Sequence, residues 1–93
     1  MGRQNKELIE NMEKLDKKDK NAPLPKWFDG EVYENGEIIK NRFGYGEIYC
    51  DSHASSMYDL IIGAEAMRMH TVLNKGLSWF RKNYPNEYMV LLD

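Results

Sequence analysis

The chain has 93 residues, of which 42% are apolar, 12% aromatic and 30% charged. These proportions predict one globular domain and exclude a wholly disordered chain. With 13 basic and 15 acidic residues the net charge is -2, which argues against a strongly basic nucleic-acid-binding surface. The single cysteine excludes an intrachain disulfide, so we expect a reducing, cytoplasmic location. No apolar run reaches the roughly 18 residues of a membrane span, so we expect no membrane association.

Residues 1–23 predict a charged amphipathic helix and a linker, and residues 24–93 a compact α+β domain. Residues 1–26 carry seven basic and five acidic groups, whereas all eleven aromatic residues lie at or after Trp27. The apolar residues of the leader recur at helical spacing: Leu8, Ile9, Met12 and Leu15. Prolines 23 and 25 then favour an extended backbone. Such a thin apolar stripe leaves three roles open: docking on the body, pairing with another chain, or partial disorder.

Strand-forming residues surround an Asn35-Gly36 pair at the start of the body. Asn-Gly is the preferred centre of a type I′ turn, because both positions need positive φ. The pattern therefore predicts a hairpin of about residues 31–34 with 37–41. After a bend over 41–46, residues 47–50 complete a three-stranded antiparallel meander.

From residue 55 the apolar residues recur at helical spacing. Ser55 or Ser56 is predicted to cap a helix over about 56–69, with Asp59 near its positive end. A second helix over about 72–84 should stop before Pro85, which is tolerated in the first turn of another helix. The apolar ending predicts a short docked helix, or alternatively a strand added to the sheet. The expected fold class is α+β, with the meander packed against two or three C-terminal helices.

Cys50 and His53 have the compact Cys-x-x-His spacing of metal ligands or of a nucleophile and its base. A closed zinc site needs four ligands, however, and the chain has one cysteine and two histidines. Covalent catalysis needs a third, orienting residue, which no spacing here suggests. We therefore expect no catalytic residue, no metal site and no cofactor.

Residues 42–49 alternate aromatic residues with glycine in the order RFGYGEIY. Exposed aromatic rings stack on unpaired bases, and glycine allows a nucleic-acid backbone to approach. The candidate residues for single-stranded nucleic acid are Arg42, Phe43, Tyr45 and Tyr49. Glu47 lies where a positive charge is needed, so aromatics that pack against helices are the favoured interpretation. Binding of single-stranded nucleic acid is therefore the alternative function, and we do not expect nucleic acid to be the main partner.

The body also contains several distinctive short segments. They are LPKWFDG at 24–30, VYENGE at 32–37, NRF at 41–43, SMYD at 56–59, IIGAE at 61–65, KGLSWFR at 75–81 and YMVLLD at 88–93. Together they resemble small proteins encoded by tailed phages of marine cyanobacteria, over residues 24–93. The resemblance implies a viral product that acts in the host cytoplasm, and it transfers no activity and no site residue.

A body of this size is near the lower limit for a self-sufficient core, where small domains often recruit a partner. Methionine and aromatic residues, abundant here, provide adaptable contact surface. We therefore predict a non-enzymatic interaction or accessory protein that self-associates or binds another protein. The candidate contact residues are Trp27, Phe43 and Tyr45, with Leu8, Met12 and Leu15 as a second surface.

Overall fold

A computed structural model describes residues 19–93, which form an α+β fold with a two-stranded antiparallel sheet and three helices. In chain order the elements are β1 (Glu37–Lys40), β2 (Glu47–Cys50), α1 (Ser52–Ala66), α2 (His70–Asn83) and α3 (Pro85–Leu91). The predicted α+β class is confirmed at this level. The predicted N-terminal helix, with Leu8, Ile9, Met12 and Leu15, lies outside the described residues. None of the helices within residues 19–93 has the length and apolar character needed to cross a membrane.

The hairpin turn is formed by residues 41–46, between β1 and β2. Ile39 pairs with Ile48, and both side chains pack against the core, whereas Ile38 and Tyr49 pair on the other face. The Asn41 N–H donates to the Gly46 carbonyl at 2.7 Å and closes the turn. Residues 44 and 46 have φ of +83° and +144°, which explains why both are glycine.

The predicted strand over residues 31–34 does not form, and the described sheet has two strands instead of a three-stranded meander. The reason is that this segment bonds to α1. The Tyr33 N–H donates to Ser56 Oγ at 2.9 Å, and the Ser52 hydroxyl donates to the Tyr33 carbonyl. The hydroxyls of Ser52 and Ser56 thus form the hydrogen bonds to Tyr33 that a neighbouring strand was expected to form.

Gly36 serves a close approach of two backbones, not the predicted type I′ turn. It is not among the glycines with positive φ. A Cβ at this position would lie 2.7 Å from Asp51 Cα and still closer to the Cys50 carbonyl. Only glycine lets the chain before β1 pass this near to the end of β2.

The first helix begins earlier than predicted because Asp51, and not Ser55 or Ser56, is its N-cap. The Asp51 side chain accepts from the Ala54 N–H at 2.9 Å, the standard bond of an N-cap carboxylate. Ser55 and Ser56 are buried inside the helix and donate their hydroxyls to preceding backbone carbonyls.

The remaining helix boundaries agree with the sequence to within three residues. The break predicted near residue 70 occurs at Met67–Met69, where Arg68 has a φ of 57°. Pro85 occupies the first turn of α3, so the C-terminal segment is the predicted short helix and not a strand. The core lies between the helices and the inner face of the sheet, centred on Met57, Ile61 and Phe80.

Candidate functional site

Asp51 is the centre of a buried polar network that positions the N-terminal end of the described chain. Its carboxylate accepts from the backbone N–H groups of Lys20, at 2.9 Å, and Asn21, at 2.7 Å. It also accepts from the Tyr84 hydroxyl at 2.9 Å. The same hydroxyl accepts from the Ala22 N–H at 2.9 Å. Burial raises the pKa of Tyr84 well above its usual value, so the hydroxyl stays protonated and can donate.

Residues 20–23, which the sequence predicted to be part of a linker, are therefore held on the body. The Trp79 indole N–H donates to the Pro23 carbonyl at 3.1 Å. A ring nitrogen of His53 lies 2.8 Å from the Ala22 carbonyl. Each buried polar side-chain atom of the described residues has a hydrogen-bond partner, so this network is fully satisfied.

Cys50 has the wrong environment for a nucleophile. Its side chain is fully buried, and burial together with nearby carboxylates raises the pKa of the thiol to about 12. The thiol is thus protonated at neutral pH, whereas the thiolate is the reactive and metal-binding form. Within residues 19–93, no group of three or more His, Cys, Asp or Glu side chains is arranged to hold a metal ion.

The turn between β1 and β2 presents two adjacent aromatic side chains to solvent. Phe43 is 69% exposed and Tyr45 is 83% exposed, and their ring centroids are 6.4 Å apart. We call residues 41–46 the aromatic loop. The Arg42 guanidinium lies over the Phe43 ring, 5.2 Å from its centroid.

Asn41 fixes the conformation of the aromatic loop through two side-chain hydrogen bonds. Its buried side chain donates to the Val90 carbonyl of α3 at 2.8 Å. Its Oδ1 accepts from the Phe43 N–H at 2.7 Å. The exposed rings are thus carried by a backbone that is bonded to the helical layer.

Arg42 is paired with a carboxylate of its own chain. Its guanidinium donates to both carboxylate oxygens of Glu65 on α1, with one contact of 3.0 Å. This hydrogen-bonded pairing raises the pKa of Arg42 and lowers that of Glu65. The negative charge of Glu65 consequently offsets the positive charge of Arg42, which makes Arg42 a weaker contact for a phosphate group.

Trp27 and Tyr49, two further sequence-predicted site residues, are engaged within the fold. Trp27 is half-buried and packs against the core. The Tyr49 hydroxyl donates to Asp19 at 2.6 Å, and this hydrogen bond is the main cause that raises the pKa of Tyr49 to about 12. Of the residues proposed for protein or nucleic-acid contact, Phe43 and Tyr45 therefore form the exposed aromatic pair.

A second surface feature, which the sequence gave no reason to expect, is a cleft of about 220 Å³ beside the C-terminal half of α1. We call it the α1 cleft. Acidic and apolar residues line it together: Asp29, Glu31, Asp59, Leu60, Ala64, Met67, Met69 and Val72, with Gly30, Ser56 and Gly63. It forms because residues 29–31 run beside α1 instead of entering the sheet.

Comparison with protein-family models, curated proteins and solved structures finds no match to this chain. Its function must therefore be inferred from the two surface features.

Proposed function

We propose that this chain is a small non-enzymatic interaction protein that binds a protein surface through Phe43 and Tyr45. The observation that carries the proposal is the exposed aromatic pair on a loop that Asn41 locks to α3. In line with the sequence resemblance, we further propose that it is a phage product that acts in the host cytoplasm.

The chemistry of the pair supports protein binding. Aromatic side chains are enriched at the centres of protein interfaces, because they bury a large area at a small cost in side-chain entropy. A loop held in one conformation loses little further freedom when it binds, which favours affinity. Phe43 and Tyr45 combine a large aromatic contact area with a loop backbone that is already fixed.

Single-stranded nucleic acid is the alternative, and the geometry favours it less. Arg42 is already bonded to Glu65, and the Tyr49 hydroxyl is bonded to Asp19. Binding of this kind needs cationic groups along the backbone path as well as stacking rings. The aromatic loop offers the rings without an unpaired arginine.

The experiment compares the double variant Phe43→Ser/Tyr45→Ser with Met89→Ser, which changes an exposed apolar residue on α3. Sedimentation velocity over a wide concentration range measures self-association. A photo-crosslinking amino acid at position 45, or at position 89 as the control, tests for a different protein partner in bacterial extract. We expect either concentration-dependent dimers or one discrete crosslinked protein from position 45, and the Phe43→Ser change should abolish either result.

Two results would overturn the proposal. One is a wild-type protein that remains monomeric and crosslinks no more from position 45 than from position 89. The other is salt-sensitive binding of a single-stranded oligonucleotide, measured by fluorescence anisotropy, that is lost in the double variant, since this would assign the rings to nucleic acid.

A further inference from the structure

The α1 cleft combines an acidic rim with an apolar floor. Three acidic residues, Asp29, Glu31 and Asp59, are among the residues that line it, and within the described part of the chain no Lys or Arg does. We call the apolar residues of the lining the floor: Leu60, Ala64, Met67, Met69 and Val72. Asp59 accepts a hydrogen bond from the Tyr33 hydroxyl at 2.7 Å, and no other residue among 19–93 bonds to its second oxygen.

The size of the cleft indicates what can occupy it. A volume of about 220 Å³ is smaller than the roughly 300–1,000 Å³ of pockets that hold cofactors or drug-sized molecules. It suits one or two side chains of a larger partner. Met67 is 73% exposed on this surface, and the flexible, polarisable thioether of methionine adapts to varied apolar partners.

Gly63 provides an independent reason to expect an occupant. A glycine inside a helix is less favourable than an alanine, so it usually has a packing reason. Gly76 has one, because a Cβ there would lie 2.8 Å from Ile61 Cγ1. A Cβ at Gly63, in contrast, would meet no heavy atom of the described residues within 4 Å. Gly63 lines the α1 cleft, where the missing side chain leaves room for a partner's backbone.

We propose that the α1 cleft binds a basic amphipathic peptide segment of a partner protein, with a lysine or arginine at the acidic rim and an apolar side chain on the floor. Charge complementarity selects this occupant. The body of a second copy is a poorer match, because residues 27–93 carry ten acidic groups and only six basic groups. This inference goes beyond the proposed function, since the cleft is formed by other residues than the aromatic loop.

The test uses the full chain labelled with ¹³C at the methionine methyl groups, and a synthetic amphipathic peptide of lysine and leucine. A matched peptide of glutamate and leucine is the ligand control. We expect the lysine peptide to shift the methyl signals of Met67 and Met69, while the signals of buried Met57 and of Met89 on α3 stay in place. The glutamate peptide should leave all four signals unchanged.

Two variants test the rim and the helix surface separately. Asp29→Asn/Glu31→Gln should weaken binding of the lysine peptide about tenfold, because two facing charges are removed. Glu34→Gln/Glu47→Gln removes the same charge from exposed positions outside the cleft and should have little effect. Gly63→Ala should stabilise the fold and yet weaken binding several-fold, a combination that a purely structural glycine does not produce.

The proposal is overturned if both peptides bind equally, if the lysine peptide shifts Met89 in preference to Met67 and Met69, or if Gly63→Ala binds as well as the wild type. It is also overturned if the Met67 and Met69 signals move with protein concentration alone, because a second copy would then be the occupant. All these outcomes are independent of Phe43 and Tyr45, so they leave the proposed function to its own test.

Discussion

Replacing Tyr84 by phenylalanine removes one buried oxygen atom and tests the network around Asp51. The ring remains, with its packing against Phe80 at 5.7 Å between centroids, so only the hydroxyl is lost. The hydroxyl donates to the Asp51 carboxylate and accepts from the Ala22 N–H. The variant therefore breaks two buried hydrogen bonds without creating a large cavity.

The magnitude follows from these two bonds. A hydrogen bond to a charged group contributes about 1.5–3 kcal/mol, and a buried N–H left without a partner costs about 1–3 kcal/mol. The two terms overlap, because segment 20–23 can shift to rehydrate its N–H groups, so we expect a loss of about 3 kcal/mol. Against a total of about 5–10 kcal/mol for a domain of this size, that loss is large. It corresponds to a fall in melting temperature of about 12–24 °C.

Urea unfolding followed by circular dichroism measures this loss, and Tyr45→Phe is the matched control because Tyr45 is 83% exposed. The control should change the free energy of unfolding by less than about 0.5 kcal/mol. Limited trypsin digestion gives a local readout, since Lys20 donates to the network through its backbone N–H. Faster cleavage after Lys20 is expected in Tyr84→Phe. A variant as stable as the control would show that the network does not hold residues 20–23 on the body.

Two further predictions concern the packing of glycines and the buried thiol of Cys50. Gly36→Ala should destabilise the fold by about 2–3 kcal/mol in urea unfolding, because its Cβ meets backbone atoms of β2 and Asp51 that cannot move aside. Gly63→Ala should instead raise stability by about 0.5–1 kcal/mol. If both variants changed the free energy of unfolding in the same direction, the packing argument would be contradicted. Burial raises the pKa of Cys50 from its usual 9.0 to about 12, so the stabilisation is complete below pH 9 and is lost as pH rises towards 12. Tyrosines whose pKa is raised on folding, such as Tyr49 and Tyr84, also lower stability in this range, and they do so equally in the wild type and in Cys50→Ala. In urea titrations at each pH, the free energy of unfolding should therefore fall by about 1 kcal/mol more in the wild type than in Cys50→Ala between pH 9 and 10.

The helices were predictable because their signals are local. Apolar residues at helical spacing and Pro85 indicated two or three C-terminal helices, and the described residues form three. Asp51 directly precedes the helix and is a good N-cap residue, but Ser55 and Ser56 have an equally suitable side chain for that role. A serine can cap a helix or bond to a preceding carbonyl within it, and local sequence does not distinguish these roles.

The pairing of residues 37–40 with 47–50 agrees with the predicted strands, but the absence of a strand at 31–34 and the cleft were not predictable from local sequence. Asn35-Gly36 has the composition of a hairpin turn, yet Tyr33 bonds to hydroxyls that lie 19 and 23 residues further along the chain. Phe43 and Tyr45 were identified as candidate contact residues from composition, while the half-burial of Trp27 depends on tertiary packing. The α1 cleft arises from the path of residues 29–31 beside α1. This path depends on tertiary contacts, and the spacing of apolar residues in the sequence does not indicate it.

The bond between Ala22 and Tyr84 joins residues that are 62 positions apart. During translation, the segment that contains Ala22 leaves the ribosome long before its partner exists. It must stay solvated, without its native bonds, until residue 84 has been synthesised and α2 has formed. Contacts of such long range are slow to form because loop closure costs entropy before the bond compensates for it. We therefore expect the Asp51 network to form late in folding. Once it has formed, the N-terminal segment around Ala22 and the helix end around Tyr84 should unfold together.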